Sequence, residues 1–247
     1  MDTLYESPEQ LLFRHSGASR NPEDSKHWTP AFAGVTKFVM NHFWMVLGLV
    51  AATSASAAPG LFSLTGLDGW DAQTFRKKTP TQYALVKDSG TQVLRADCKA
   101  SASGFISRGE IDLAKTPVLE WRWKVDQVYP GLNEREKSGD DFPARVYVVR
   151  DGGWAVWRTR SLVYAWASHE PAGNDWPNPY TGQAHMVALQ SGAAKAGRWI
   201  TEKRDLRADF KRYFDLDLDT LDGIALMSDC DDAGGETRAW FGDIQTR

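Results

Sequence analysis

The stretch Val118–Val128 constrains this chain more than any other. Within it Leu119, Trp121, Trp123 and Val125 fall on one side, and Glu120, Arg122, Lys124 and Asp126 on the other. A two-residue period with one apolar side is the pattern of a β-strand lying between a core and a polar surface. A helix would scatter the same side chains around its circumference. Trp121 and Trp123 are therefore expected in a core rather than on a ligand platform.

Short apolar or alternating runs of the same kind recur downstream of residue 58. They are Tyr83–Lys87, Thr91–Ala96, Gly104–Ile111, Ala144–Arg150, Ala155–Arg158, Leu162–Ala167, His185–Gln190, Trp199–Leu206, Gly223–Ser228 and Arg238–Ile244. Turn formers separate most of them, among them Asp88-Ser89-Gly90, Asp151-Gly152-Gly153 and Ser191-Gly192. Regularly spaced short strands with such punctuation predict an all-β sandwich or barrel. The expectation is a jelly-roll-like antiparallel β-sandwich with one short helix, Leu206–Phe214. Residues 59–247 contain no internal repeat, linker or low-complexity run and suffice for one domain with a substantial core.

The segment before that domain reads differently. Met40–Ala58 has an apolar run, Phe43–Ala52, that ends in the small residues Ala55-Ser56-Ala57-Ala58. The run is about half the roughly 20 residues a spanning helix needs. It matches a secretory apolar region with an A-x-A cleavage site; a short uncleaved anchor is the alternative. Residues 1–39 show neither helical nor strand period, and Pro22, Pro30 and Gly34 interrupt them. They are read as a disordered extension or as sequence upstream of the true start, at Met40 or Met45. The expected location is the periplasm or the outside of the cell, with no integral membrane span after signal cleavage.

Export bears on the two cysteines, Cys98 and Cys230. An oxidising compartment permits a disulfide between them, two buried free thiols being the alternative. Two cysteines and distant histidines do not make a structural zinc site. The net charge of −3 gives no reason to expect nucleic acid or an acidic membrane as partner. The chain has 11 tryptophans. Indoles supply buried area and also flat faces for stacking on sugars or cations, so their number alone does not choose between core and site.

Four constellations could carry chemistry. The first is Asp140, Asp141 and Arg145. Adjacent carboxylates repel unless a cation or donors lie nearby, so one would pair with Arg145 while the other points at a ligand. The second is the oxygen-rich set Asp229, Asp231, Asp232 and Asp243, followed in part by Gly234-Gly235. It is compatible with calcium, although the spacing is not that of an EF-hand. The third is the loop Ser168–Tyr180, with His169, Glu170, Asn174, Asp175, Trp176 and Tyr180. Polar groups beside loop aromatics suit a sugar, which needs ring stacking and hydrogen bonds to hydroxyls. The fourth is the polar side of the first strand, Glu120, Arg122 and Lys124, which Arg145 and Tyr147 would join if Ala144–Arg150 paired beside it. Each has a plain structural reading: a solvated loop end, a polar turn, an edge cover and an outer sheet surface.

Several strings together resemble a known family. LEWRWKV (Leu119–Val125), DDFPARVYVV (Asp140–Val149), ALMSDCDDAGG (Ala225–Gly235) and AWFGDI (Ala239–Ile244) are similar to the bacterial family called domain of unknown function 3047. The resemblance covers residues 61–246. It implies an exported, all-β, jelly-roll protein, similar in outline to carbohydrate-binding modules, and implies no established activity. It also implies a small hydroxyl residue where this chain has Cys230, so a disulfide does not follow from it.

Catalytic signatures are sparse. Glu110-Ile111-Asp112-Leu113 resembles the start of the carboxylate motif of laminarinase-like jelly rolls, but Ala114 and Lys115 stand where the proton donor is needed. No G-x-S-x-G and no phosphate loop occurs. The sequence therefore favours a module that binds a small-molecule or glycan ligand. The rival readings are a cell-envelope glycan enzyme using Glu120, Asp140 or Asp141, and a periplasmic interaction module.

Overall fold

The computed structural model describes residues 62–247, except Gly234. The expected extension, signal segment and cleavage site lie outside these residues. After a helical turn, Phe62–Thr65, the chain forms β1 (Asp71–Thr74), β2 (Gln82–Asp88), β3 (Thr91–Lys99), β4 (Ala102–Asp112), β5 (Val118–Val125), β6 (Ala144–Arg150) and β7 (Arg160–Ala167). There follow β8 (Asp175–Pro177), β9 (Ala184–Ser191), β10 (Ile200–Asp205), the helix Leu206–Phe214, β11 (Thr220–Asp229) and β12 (Glu236–Thr246).

Two sheets form the sandwich. One has seven strands in the order β1-β4-β11-β6-β7-β9-β8, the other five in the order β10-β5-β12-β3-β2. Every pairing is antiparallel except β7 with β9. The segment between those two strands carries the chain back along the sheet and contributes β8 to its edge.

β5 behaves as its period requires. Leu119, Trp121, Trp123 and Val125 are buried against Ala144, Val146 and Val148 of β6 and against Tyr164 and Trp166 of β7. Trp121 meets Trp123 edge-on at 5.6 Å and Tyr164 at 5.4 Å, and Trp123 meets Trp166 at 6.0 Å. Each such ring contributes about 1.5–3 kcal/mol by leaving water, so this layer is the main source of stability. β5 stops at Val125, three residues before the expected end, and the Asp126 amide still reaches the Arg238 carbonyl of β12.

The helix starts where expected. Asp205 caps it through the Ala208 amide at 2.9 Å, and Asp215 closes it at φ 55°. The expected strand Ala155–Arg158 is instead a 3-10 turn, Val156–Arg158. Bonds from Arg158 to Ala155 and from Thr159 to Val156 curl it, and Gly152 admits the curl, since a Cβ there would lie 2.3 Å from the Ala155 oxygen. β1 and β8, which the sequence did not signal, are edge strands of four and three residues, too short to display a period, although Trp176 of β8 is buried.

Cys98 and Cys230 are joined, with Cα atoms 6.2 Å apart. The bond ties the end of β3 in one sheet to the end of β11 in the other. A cross-link of this span typically contributes about 2–5 kcal/mol.

Candidate functional site

Alternation along β6 separates two environments. Ala144, Val146 and Val148 face the other sheet, while Arg145, Tyr147 and Val149 face away from it. Register places Arg145 beside Met227 of β11, and Asp229 lies two residues on, on the same side. Arg145 is fully buried, and its guanidinium ion-pairs with Asp229 and with Asp140, the latter at 3.4 Å. It also lies 4.9 Å from the Phe142 ring centre and 5.6 Å from that of Tyr147. Of the adjacent aspartates, Asp140 thus takes Arg145, and Asp141 turns elsewhere.

Asp141 is 0% exposed and accepts the Ala233 amide through Oδ2, while its Oδ1 has no hydrogen-bond partner. Its carboxylate, that of Asp229 and that of Asp231 approach within 4.8 Å of one another. Burial, reinforced by the Asp231 and Asp232 charges, pushes Asp141 up to about 6 against the Ala233 bond. Asp231 is ion-paired with Lys78, and its Oδ1 also lacks a partner. The expected oxygen-rich set is thereby corrected. Asp229 and Asp231 converge and Asp141 joins them. Asp232 is exposed and lies 3.8 Å from Lys78. Asp243 serves another end of the fold, accepting the Ser63 amide at 2.8 Å to cap the Phe62–Thr65 turn.

The loops before β6 and after β7 lock together beside this centre. Glu134, 1% exposed, accepts the backbone amides of Ser168, of His169 at 3.1 Å and of Glu170 at 2.7 Å. Arg135 grips Glu170 with two bonds of 2.6 and 2.9 Å. His169 Nε2 accepts the Gly131 amide, and Asn174 donates to Glu170. Tyr180 donates to the Lys137 carbonyl at 2.8 Å. Trp176 is 2% exposed, stacked on Phe142 at 6.4 Å with Arg135 on its ring, and its indole N–H bonds to the Glu134 carbonyl. The expected exposed aromatic platform is therefore buried at Trp176. The loop order comes from carboxylate-to-amide bonds, because short polar loops have little apolar area to bury.

Glu120 and Arg122 do not share a side with Arg145 and Tyr147. β5 and β6 lie in different sheets, and these two pairs face outward from opposite layers. Glu120 is ion-paired with Lys203 at 3.0 Å and Arg247 at 3.4 Å. Arg122 lies 4.6 Å from the Trp199 ring, and Lys124 sits 4.4 Å from that of Trp240 and pairs with Asp88. A two-carboxylate reaction between Glu120 and Asp140 or Asp141 is incompatible with this placement.

The sequence reading missed Trp154 and Trp157. They are 85% and 59% exposed and meet edge-on at 5.9 Å. Their loop is braced from below. The Asp151 amide bonds to Asp222 at 2.8 Å, the Gly152 amide to Thr159 Oγ1 at 3.0 Å, and Gln183 to the Val156 carbonyl at 3.1 Å. The available signal was two tryptophans three residues apart after Asp-Gly-Gly, a spacing that no strand alternation accommodates.

The family model described as "Protein of unknown function (DUF3047)" matches residues 68–245. The chain belongs to this family. No curated protein matches it in sequence. Among solved structures it is similar to a family 11 carbohydrate-binding module of the cellulosomal cellulase Lic26A-Cel5E of Clostridium thermocellum. Identity is 12%, the match covers 78% of this chain and 95% of that one, and the TM-score is 0.42. It is also similar to the xyloglucanase domain of NopAA, a type three effector from Sinorhizobium fredii, at 10% identity over 73% and 95% of the two chains, TM-score 0.41. At these levels no residue role passes to the DUF3047 chain.

Proposed function

We propose that this DUF3047 domain is an exported glycan-binding module that presents Trp154 and Trp157 to a sugar chain. The exposed pair carries the reading. Leaving two indoles in water forgoes about 1.5–3 kcal/mol apiece, and a braced loop holds them there. Two flat faces set at 87° offer stacking surfaces to neighbouring sugar rings. Arg158, exposed and next to Trp157 in the chain, adds a hydrogen-bond donor for hydroxyls. The disulfide supports an oxidising compartment. None of the described helices is long and apolar enough to cross a membrane.

The test is a calorimetric titration of the full chain against a panel of soluble β-glucans, xyloglucan and peptidoglycan fragments. One of these is expected to bind, with Trp154→Ala and Trp157→Ala each weakening binding roughly tenfold, about 1.4 kcal/mol. Binding that survives the double variant undiminished would remove the assignment.

A further inference from the structure

We propose that Asp141, Asp229 and Asp231 form a site for one divalent cation of the calcium type. Calcium takes six to eight oxygens at about 2.3–2.6 Å, so ligand oxygens on one ion lie up to about 5 Å apart. The three carboxylates approach within 4.8 Å of one another, which fits a single coordination sphere. All three are oxygen donors, and none of the residues is a histidine or cysteine that would select zinc or copper.

The second observation is independent of the acidic count. Asp141 is fully buried, yet its Oδ1 accepts nothing, and no lysine or arginine of the described residues ion-pairs with it. Asp231 Oδ1 is likewise buried and unpartnered. Buried carboxylate oxygens cost free energy unless a donor or a cation meets them. Lys78 and Arg145 already hold the other oxygens of Asp231 and Asp229. Asp229 Oδ1 is in turn held by the Phe142 amide, so the open oxygens of the cluster are Asp141 Oδ1 and Asp231 Oδ1.

The site is built before any ion arrives. The amide of Asp229 bonds to the Phe142 carbonyl, Asp229 Oδ1 accepts the Phe142 amide, and the Ala233 amide bonds to Asp141. Cys230, between two of the ligands, is fixed by its disulfide and by a 2.9 Å bond from its amide to Ser101. Ligands from two chain segments are thus held in place by bonds that do not involve the ion, the pre-organisation a selective site needs.

The alternative occupant of Asp141 is a proton, and the two make opposite predictions. Full-length protein stripped with EDTA is titrated with calcium chloride by calorimetry, and its melting temperature is followed in parallel. The proposal expects one ion per chain and a melting temperature that rises with calcium. It further expects Asp141→Asn and Asp231→Asn each to weaken binding at least tenfold, while Asp232→Asn does not. Circular dichroism confirms that each variant is folded. No heat and no thermal shift with calcium, or binding that persists unchanged in folded Asp141→Asn, overturns it. Because the glycan reading rests on Trp154 and Trp157, either conclusion can fail without the other.

Discussion

Two carboxylates in this molecule are equally withdrawn from water and meet opposite fates. Glu134 receives three successive backbone amides, from Ser168, His169 and Glu170. Asp141 receives one, from Ala233, and faces two further carboxylates. The first is a finished structural clamp, in which a buried charge is stabilised by donors that a folded loop provides. The second is left short of donors although the surrounding chain is firmly held. Burial by itself therefore does not mark function. The balance between a charged group and the donors around it does, and a deficit inside an ordered neighbourhood is the informative case.

The hardest way to break the comparison is to remove the charge that shields Asp229 from Asp141. Arg145→Ala leaves Asp229 and Asp140 buried without their shared guanidinium. It should cost about 3–5 kcal/mol, measured by urea unfolding, because an uncompensated buried charge is among the largest single penalties. A cost below about 1 kcal/mol would mean that Arg145 is not what holds the acidic centre together. Next comes Glu134→Gln. The amide keeps the shape but turns one acceptor into a donor, and that donor then points at backbone N–H groups. A loss of about 2–3 kcal/mol is expected, with faster proteolysis of the 168–180 loop. The matched change Asp141→Asn should have the opposite sign in metal-free protein. It relieves repulsion and supplies a donor to Asp231, for a gain of about 1 kcal/mol. If the two amide substitutions destabilise alike, the contrast drawn between these sites is wrong.

These regions also differ in how far the sequence disclosed them. Val118–Val125 announced its two sides because a long strand samples one environment at every second residue. The helix at Leu206 was visible because Asp205 is a local cap. The acidic centre was half visible: Asp229 and Asp231 stand together in the chain, whereas Asp141 reaches them only because β6 pairs with β11 so that Arg145 meets Met227. Such a register is a long-range fact, set by core packing between strands far apart in sequence. Trp176 and Trp154 show the same limit from another side. Trp154 lies in a loop and Trp176 in the three-residue edge strand β8, yet the second is buried by Phe142 and Arg135 and the first projects into solvent. Nothing within a few residues of either distinguishes them, except the Gly-Gly turn and the three-residue spacing of Trp154 and Trp157.

A third acid lies between the two extremes and gives the smallest effect. Glu202 projects inward from β10 and accepts bonds from Trp123 Nε1 at 3.2 Å and Gln190 Nε2 at 2.7 Å. Burial raises its carboxyl above the usual glutamate range, and the two donors recover only part of the difference. The folded form therefore binds the proton more tightly than the unfolded chain. This group favours folding most below its unfolded pKa, and the contribution is lost as the pH rises through the folded value. Glu202→Gln keeps an acceptor for both donors and removes the charge. At pH 7 it should raise the melting temperature by less than about 2 °C, and the difference from the parent should vanish near pH 4. A melting temperature lower than the parent's for Glu202→Gln at pH 7 would instead show that Glu202 is worth more to the fold as an anion.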